Sequence, residues 1–168
     1  YPQTFGERIM NLVIAELRRA GIAWQVLWDG VGEANTAATL PIIWECSDML
    51  ESVVASRGFA VLINERPPPG LAKSHIDSVS VDDHSGGVSA ADLIRPRVNA
   101  GGEVAVLQGP RNDRRNAERV EGFLSVLPEA SVLSAESWGF DAGYAVAASL
   151  AATKPRAVFC TNDRLASA

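Results

Sequence analysis

The sequence is poor in the residues on which zinc sites and hydrolase active sites depend. It contains two cysteines, Cys46 and Cys160, and two histidines, His75 and His84, among 168 residues. These four side chains do not have the spacing of a zinc site. The segment Asp82-Asp83-His84 could hold a metal, but acidic residues after a strand more often shape a turn or cap a helix. No serine lies in a G-x-S-x-G segment, so we expect neither a metal nor a hydrolase triad.

Phosphate-binding loops are a second absence. The sequence has no G-x-x-x-x-G-K-[ST] segment and no G-x-G-x-x-G segment behind a strand. Gly30-Val31-Gly32 follows a predicted strand but lacks the third glycine and the following helix. Nucleotide-dependent enzymes are therefore disfavoured, and we expect no cofactor.

Long apolar runs and an excess of basic charge are missing as well. No apolar run approaches the ~20 residues of a membrane span, and no signal peptide is visible. The net charge of -5 disfavours direct binding of nucleic acid, which usually needs a basic face. The basic cluster RNDRR at 111–115 is typical of a solvated helix start. Both cysteines adjoin apolar runs, which favours buried thiols and a reducing compartment.

What the sequence does contain is a regular alternation of short apolar runs and helical patterns. The apolar spacing predicts helices over 5–20, 47–57, 89–94, 112–127 and 141–152. It predicts strands over 22–28, 40–44, 59–63, 76–81, 104–108, 131–134 and 157–161. Residues 95–102 are predicted to form a linker or a crossover between lobes. This alternation predicts an α/β fold with a mainly parallel sheet, and we expect both ends of the fold to be incomplete.

Polar side chains follow several of the predicted strands. Ligands of open α/β sheets bind beyond the carboxyl ends of the strands, so these positions form the candidate site. The polar members are Asn64, Glu65, Arg66, Asp82, Asp83, Arg119, Asn162 and Asp163, and the aromatic members are Tyr1, Phe5, Trp138 and Phe140. Carboxylates, amides and arginines each engage neighbouring hydroxyls, and aromatic rings cover the apolar face of a sugar. The pattern indicates a site for a small polar ligand.

Several of these residues also have a purely structural interpretation. The alternatives are a helix cap for Asp163, an ion pair with Glu118 or Glu121 or a surface position for Arg119, and core packing for Trp138 and Phe140. The joint placement of the set at strand ends is what favours a ligand site.

Several segments resemble motifs of the LacI/GalR family of bacterial transcription regulators, whose fold is shared with periplasmic sugar-binding proteins. VSVDDHSGGVSAADLI is similar to V-x-x-D-N-x-x-G-G followed by a helix, with Asp83 in place of the usual asparagine. GGEVAVLQGP is similar to the strand after the lobe crossover, and RVEGF to R-x-x-G-F. KPRAVFCTNDRLA is similar to P-x-A-[IV]-[FV]-x-x-N-D-x-[LM]-A, and INER to a strand end that more often reads D-R. Ala168 replaces a usual glycine, and residues 31–39 are short for the helix usually found there.

The resemblance implies a periplasmic-binding-protein-like fold of two α/β lobes, over 1–100 and 101–168, with a ligand cleft between them. Arg119 and Asp163 match family positions that commonly hold ligand hydroxyls or carboxylates. The further ligand-binding candidates are Asp83, Arg66, Phe5, Asn162, Phe140 and Trp138.

The resemblance also implies a function. A cytoplasmic homodimer would bind a small effector, a sugar or related metabolite, and thereby modulate operator DNA binding through a headpiece outside this chain. Neither catalysis nor membrane contact is expected. One alternative is an exported solute-binding protein, which predicts a monomer and a signal peptide in the gene. Another is an enzyme with a flavodoxin-like or Rossmann-like sheet, which the missing phosphate loop disfavours.

Overall fold

Helices and strands alternate along the chain in a computed structural model that describes residues 5–25, 40–44, 59–67, 75–98 and 103–168. The helices are α1 (Phe5–Arg19), α2 (Asp83–Val98), α3 (Arg114–Val126), α4 (Phe140–Thr153) and α5 (Asp163–Ala166). The strands are β1 (Ile42–Trp44), β2 (Phe59–Ile63), β3 (His75–Val79), β4 (Val104–Gln108), β5 (Ser131–Ser134) and β6 (Ala157–Cys160). The predicted helix over 47–57 lies outside the described residues.

The strands form two three-stranded sheets, in the orders β1-β2-β3 and β5-β4-β6. β1 pairs with β2 in parallel, and β4 pairs in parallel with both β5 and β6. In the second sheet Val106 lies between Val132 and Phe159. A central parallel strand is covered on both faces, which is why β4 reads as a continuous apolar run. The predicted α/β architecture with parallel sheets flanked by helices is confirmed.

The chain divides into two compact units. The first comprises Tyr1–Ile63 and Pro67–Asp77, and the second comprises Asn64–Arg66 and Ser78–Ala168. Helix α2 therefore groups with the second half of the chain, whereas the lobes predicted from the sequence left it with residues 1–100. The packing of α2 on α3 explains the difference.

In the first unit, Ala60 and Leu62 of β2 are buried, and Ile43 and Ile76 pack against them. After α1, the Arg18 guanidinium lies 5.1 Å from the ring centroid of Trp24. Residues 22–25 do not form the strand predicted there, and the rest of that prediction lies outside the described residues.

Apolar side chains of the second unit fill both faces of its sheet. On one face, Val106 and Phe159 pack with α2 and α3, and the ring of Phe159 stacks on that of Phe123 at a centroid distance of 4.7 Å. On the other face, Leu107 and Leu165 pack against α4. The central strand is thus held between two helical layers.

Two glycines let α2 and α3 approach to backbone contact. A Cβ atom at Gly87 would lie 2.0 Å from the Arg119 carbonyl oxygen, and one at Gly122 would lie 2.1 Å from the His84 carbonyl oxygen. Both distances are far below van der Waals contact, so neither position tolerates a side chain without movement of a helix. The close crossing brings the first turn of α2 beside the middle of α3.

Helix α2 begins six residues earlier and ends four residues later than its predicted span of 89–94. The prediction was wrong because the first turn, DHSGG, carries no apolar periodicity. The Ser85 backbone N–H and hydroxyl both donate to the Asp82 carboxylate, at 2.9 and 2.8 Å, and these bonds lower the pKa of Asp82. The helix then continues through Pro96 into the predicted linker, where the Arg97 guanidinium donates to the Leu93 carbonyl.

Neighbouring glycines of α2 offer a matched test of the helix crossing. Gly87→Ala is expected to lower the free energy of unfolding by about 2 kcal/mol or more, because its methyl group overlaps α3 backbone. Gly86→Ala, where a Cβ meets nothing within 4 Å, should raise it by up to about 1 kcal/mol. Urea unfolding of both variants measures the difference, and equal stabilities would contradict the close crossing.

Acidification tests the cap of α3. The Asp113 carboxylate accepts from the Arg115 and Asn116 backbone N–H groups. Burial raises the pKa of Asp113, but hydrogen bonds and the charge of Arg115 outweigh burial and lower it below 3.8. Its ionised form therefore stabilises the fold above that value, and the contribution is lost as the pH falls through the folded-state pKa. Asp113→Asn keeps an N-cap side chain without the charge. Wild type should be more stable than this variant near neutral pH but not in strong acid; a pH-independent difference would contradict the assignment.

Candidate ligand-binding site

The carboxyl ends of β4 and β6 lie at one edge of the second sheet, since the two strands are parallel neighbours. Gly109 follows β4 and Thr161 follows β6. The Gly109 backbone N–H donates to the Thr161 hydroxyl over 3.2 Å, so the two strand ends are joined directly. This is the edge at which ligands of open α/β sheets bind.

Asn116, in the first turn of α3, connects these strand ends through its fully buried side chain. Its Oδ1 accepts from the Gly109 backbone N–H at 3.0 Å and from the Thr161 hydroxyl at 2.9 Å. Its Nδ2 donates to Gln108 Oε1 at 3.0 Å and to the Pro110 carbonyl at 3.2 Å. Every hydrogen-bonding atom of the amide is therefore used by the protein, and the side chain positions the edge rather than facing a ligand.

Arg119 and Asp83 form an ion pair, with 2.7 Å between Arg119 Nε and Asp83 Oδ1. The Asp83 side chain is 2% exposed and the Arg119 side chain is 30% exposed. Arg119 also donates through Nη1 to the carbonyl oxygen of Thr161. Arg119 is thus held from two sides, and its partner is neither Glu118 nor Glu121.

Glu118 has a different pair of partners. Its Oε1 accepts from Arg66 Nη1 at 3.0 Å and from Arg114 Nη1 at 2.8 Å. Arg66 comes from the short segment 64–66 that belongs to the second unit. The structure therefore brings Arg66 to α3, where a carboxylate of the protein binds it.

The residues after β6 divide into a capping side chain and an exposed one. Asn162 caps α5 by accepting from the Leu165 backbone N–H at 2.8 Å, and it donates to the Trp138 carbonyl at 3.2 Å. Asp163 begins α5 and its side chain is exposed. The helix cap proposed as an alternative for Asp163 is thus supplied by its neighbour.

The aromatic candidates lie in three different environments. Trp138 packs with Leu107 and Leu165, and its ring lies over Gly109, where a Cβ would be 2.6 Å from Trp138 Cε3. Phe140 is 48% exposed on α4 and stacks on Tyr144 at 6.1 Å. Phe5 begins α1 in the first unit, and Tyr1 lies outside the described residues.

The edge offers hydrogen-bonding groups rather than reactive ones. The Arg119 side chain, which is 30% exposed, supplies N–H donors, and the Asp163 carboxylate supplies acceptors. Burial raises the pKa of the Cys160 thiol, which disfavours the reactive thiolate. Within the described residues, no group of three or more histidine, cysteine, aspartate or glutamate side chains could hold a metal ion. The arrangement suits a ligand that carries several hydroxyls.

Sequence reasoning did not identify Gln108, Asn116 or Thr161. Asn116 could have been noticed, because asparagine is disfavoured inside helices unless its side chain has a specific partner. Nothing local to Thr161 indicates that its hydroxyl and its carbonyl are both bound from α3.

No protein-family model matches the chain, and no curated protein matches it in sequence. Solved structures do match it. A LacI family transcriptional regulator from Enterococcus faecalis with bound ribose is 18% identical at a TM-score of 0.73, over 96% of this chain and 64% of that one. A Caulobacter myo-inositol binding protein is 18% identical at a TM-score of 0.75, over 98% and 64%. A periplasmic solute binding protein from Actinobacillus succinogenes with bound D-allose is 15% identical at 0.66, over 99% and 68%.

These similarities confirm the periplasmic-binding-protein-like fold expected from the sequence motifs. The structures with this fold include both regulators and solute-binding proteins. The chain spans less than two thirds of the length of the Enterococcus and Caulobacter proteins. In the part of the chain that the structure describes, no helix is long and apolar enough to cross a membrane.

Replacing the buried amide tests its role at the strand edge. Asn116→Ala should lower the free energy of unfolding by about 2 kcal/mol, because Gly109 N–H and Gln108 lose a buried partner. Asn112→Ala, at an exposed position before α3, should change it by less than about 0.5 kcal/mol. Chemical denaturation of both variants checks this, and a neutral Asn116→Ala would contradict the network.

Proposed function

We propose that this chain is the ligand-sensing domain of a bacterial LacI-type transcriptional regulator and binds a sugar or related metabolite. The observation that carries the proposal is the Arg119 side chain, held at the carboxyl edge of the second sheet by buried Asp83 and by the Thr161 carbonyl. An arginine oriented in this way presents its remaining N–H groups without further loss of side-chain freedom. This geometry suits bidentate donation to two neighbouring oxygens of a ligand.

Asp163 is the proposed acceptor beside that donor. The Asn162 cap fixes the start of α5. The backbone of Asp163, the next residue, is therefore held at the same strand end, and its exposed carboxylate extends from there. Carboxylates accept hydrogen bonds from ligand hydroxyls, and Trp138 adds an aromatic surface over Gly109. Asn162 and Asp83 act in this proposal by positioning, and Arg66, Phe140 and Phe5 are more distant candidates for ligand contact.

The regulator assignment adds operator DNA, a homodimer and a cytoplasmic location to the proposal. Effector binding would shift the population of DNA-competent molecules through a headpiece outside these residues. The motif pattern and the half-buried free thiol of Cys160 support this assignment. The second candidate is an exported solute-binding protein, which the similarity to the Caulobacter myo-inositol binding protein favours. Both candidates bind ligands and perform no catalysis.

A ligand screen of the full-length protein tests the shared part of the proposal. Ribose, D-allose, myo-inositol and fructose are the first probes, followed by sugar phosphates and nucleosides. A ligand that binds the folded state raises Tm by mass action. A reproducible rise with a sugar or polyol supports the proposal, and no rise across the panel counts against a sugar-like effector. Ligand-dependent release of operator DNA would then separate a regulator from a solute-binding protein.

Substitutions at the strand edge test the residues. Asp163→Ala should weaken affinity for the identified ligand by more than about tenfold, since ligand hydroxyls lose their acceptor. Arg119→Lys keeps a positive charge beside Asp83 but loses the forked geometry, and it should weaken affinity similarly. Calorimetric titration measures both, with Asp92→Ala on the exposed Asp92–Arg95 pair as the matched control. Unchanged affinity in both edge variants, with folding intact, would overturn the site assignment.

A further inference from the structure

The charge of Arg119 is balanced by the protein, yet part of its hydrogen-bonding capacity is unused. Its Nε donates to the Asp83 carboxylate at 2.7 Å, and its Nη1 donates to the Thr161 carbonyl oxygen. Within the described residues, no hydrogen bond uses its Nη2 nitrogen, and the side chain is 30% exposed. The guanidinium therefore keeps N–H donors for a ligand while a carboxylate already neutralises its charge.

The negative charge that balances Arg119 lies inside the protein, where the Asp83 side chain is 2% exposed. Gly87 and Gly122 let α2 and α3 cross at backbone contact, which places this carboxylate beside the guanidinium. Water and salt screen a buried charge much less than an exposed one. An anion that approaches the guanidinium is therefore repelled by Asp83 while it is attracted by Arg119.

A second carboxylate lies at the same edge of the second sheet. Asp163 begins α5 just beyond β6, and its side chain is exposed. Asp83, Arg119 and Asp163 together carry a net negative charge, which is also the sign of the whole chain at -5. This edge thus offers both donors and acceptors of hydrogen bonds without a net positive charge.

Other arginines near α3 are bound to carboxylates of the protein. Arg66 and Arg114 share the Glu118 carboxylate, at 3.0 and 2.8 Å. Arg115 pairs with Asp113 at 2.8 Å. An anionic ligand would have to compete with these carboxylates for each guanidinium, whereas a hydroxyl group can accept from an N–H without displacing the ion pair.

We propose that Asp83 is a specificity-determining residue, which makes this edge select uncharged polyhydroxyl ligands and reject sugar acids and sugar phosphates. The inference rests on the proposed function, because it concerns the ligand of the same site. Hydroxyl groups both donate and accept, so they match Arg119 and Asp163 without electrostatic repulsion. A carboxylate or phosphate matches the N–H donors of Arg119 but meets two negative charges.

The variant Asp83→Asn separates the charge of this residue from its geometry. The asparagine Oδ1 can still accept from Arg119 Nε, so the orientation of the guanidinium is kept while the negative charge is removed. Asparagine is also the residue of the similar sequence motif at this position. If residue 83 only held the structure, the variant would lose affinity for charged and uncharged ligands alike. The proposal predicts instead that anions gain affinity relative to sugars.

Matched sugars and inorganic phosphate test this in full-length protein at constant ionic strength. D-glucose with D-glucuronate, and D-galactose with D-galacturonate, differ by one carboxylate in place of a hydroxymethyl group. Phosphate is an anionic probe that does not depend on which sugar binds. NMR titration should show that Asp83→Asn binds phosphate about tenfold or more tightly than wild type, because a buried like charge is removed. The ratio of uronate affinity to sugar affinity should rise by a similar factor.

Two controls assign the effect to the ion pair. Asp92→Asn makes the same substitution on the same helix, at the exposed Asp92–Arg95 pair, and should leave phosphate affinity unchanged. The double variant Asp83→Asn/Arg119→Gln lacks both charges, so the gain should disappear. If Asp83→Asn does not fold, Asp163→Asn takes its place at an exposed position and should raise phosphate affinity about threefold or more.

Equal phosphate affinity of wild type and Asp83→Asn, with folding intact, would overturn the proposal. A wild-type protein that binds either uronate more tightly than its uncharged sugar would overturn it as well. Failure of the proposed function gives a different result: no sugar or polyol would bind any variant, while phosphate affinity would still depend on residue 83.

Discussion

The burial of one carboxylate organises the second unit. Asp83 is almost completely removed from water, and an isolated buried charge would strongly destabilise the fold. Arg119 compensates that charge from α3, and it reaches Asp83 because Gly87 and Gly122 let the two helices cross at backbone contact. The same guanidinium binds the carbonyl beyond β6. A single arginine thus connects two helices and a strand end. The position of its guanidinium at the sheet edge is set by its ion pair with Asp83.

The architecture could be predicted from the sequence because parallel strands that are covered on both faces appear as short continuous apolar runs. The unit from β4 to α3 was predicted closely, since its apolar run, its turn and its helical spacing are all local. Helix α2 was predicted poorly because its first turn is built from small polar residues around an Asp82 cap. The partner of Arg119 was not readable, since Asp83 lies 36 positions away. The adjacent Glu118 and Glu121 were poor alternatives, because residues one or two apart do not face each other on a helix.

The strand edge contains residues whose side chains hold the structure together and residues whose side chains are exposed. The side-chain amides of Asn116 and Asn162 are hydrogen-bonded to other groups of the protein, whereas the Asp163 side chain is exposed and that of Arg119 is partly exposed. This division is typical of a binding site in which rigid supporting groups fix a few exposed ones. It also explains why residue type alone could not rank the candidates: asparagine and aspartate stand side by side after β6, but the asparagine caps α5 and the aspartate side chain is exposed.

The glycines of the second unit place two different kinds of limit on how this sequence can diverge. Gly87 and Gly122 each face a main-chain carbonyl of the other helix, and no substitution elsewhere removes a main-chain atom. Gly109 faces the ring of Trp138, and a smaller residue at position 138 would make room for a side chain at position 109. In related sequences, the residues at positions 109 and 138 can therefore change together. At the helix crossing, no substitution at another position can compensate for replacing a glycine. Gly87 and Gly122 can change only if the two helices move apart.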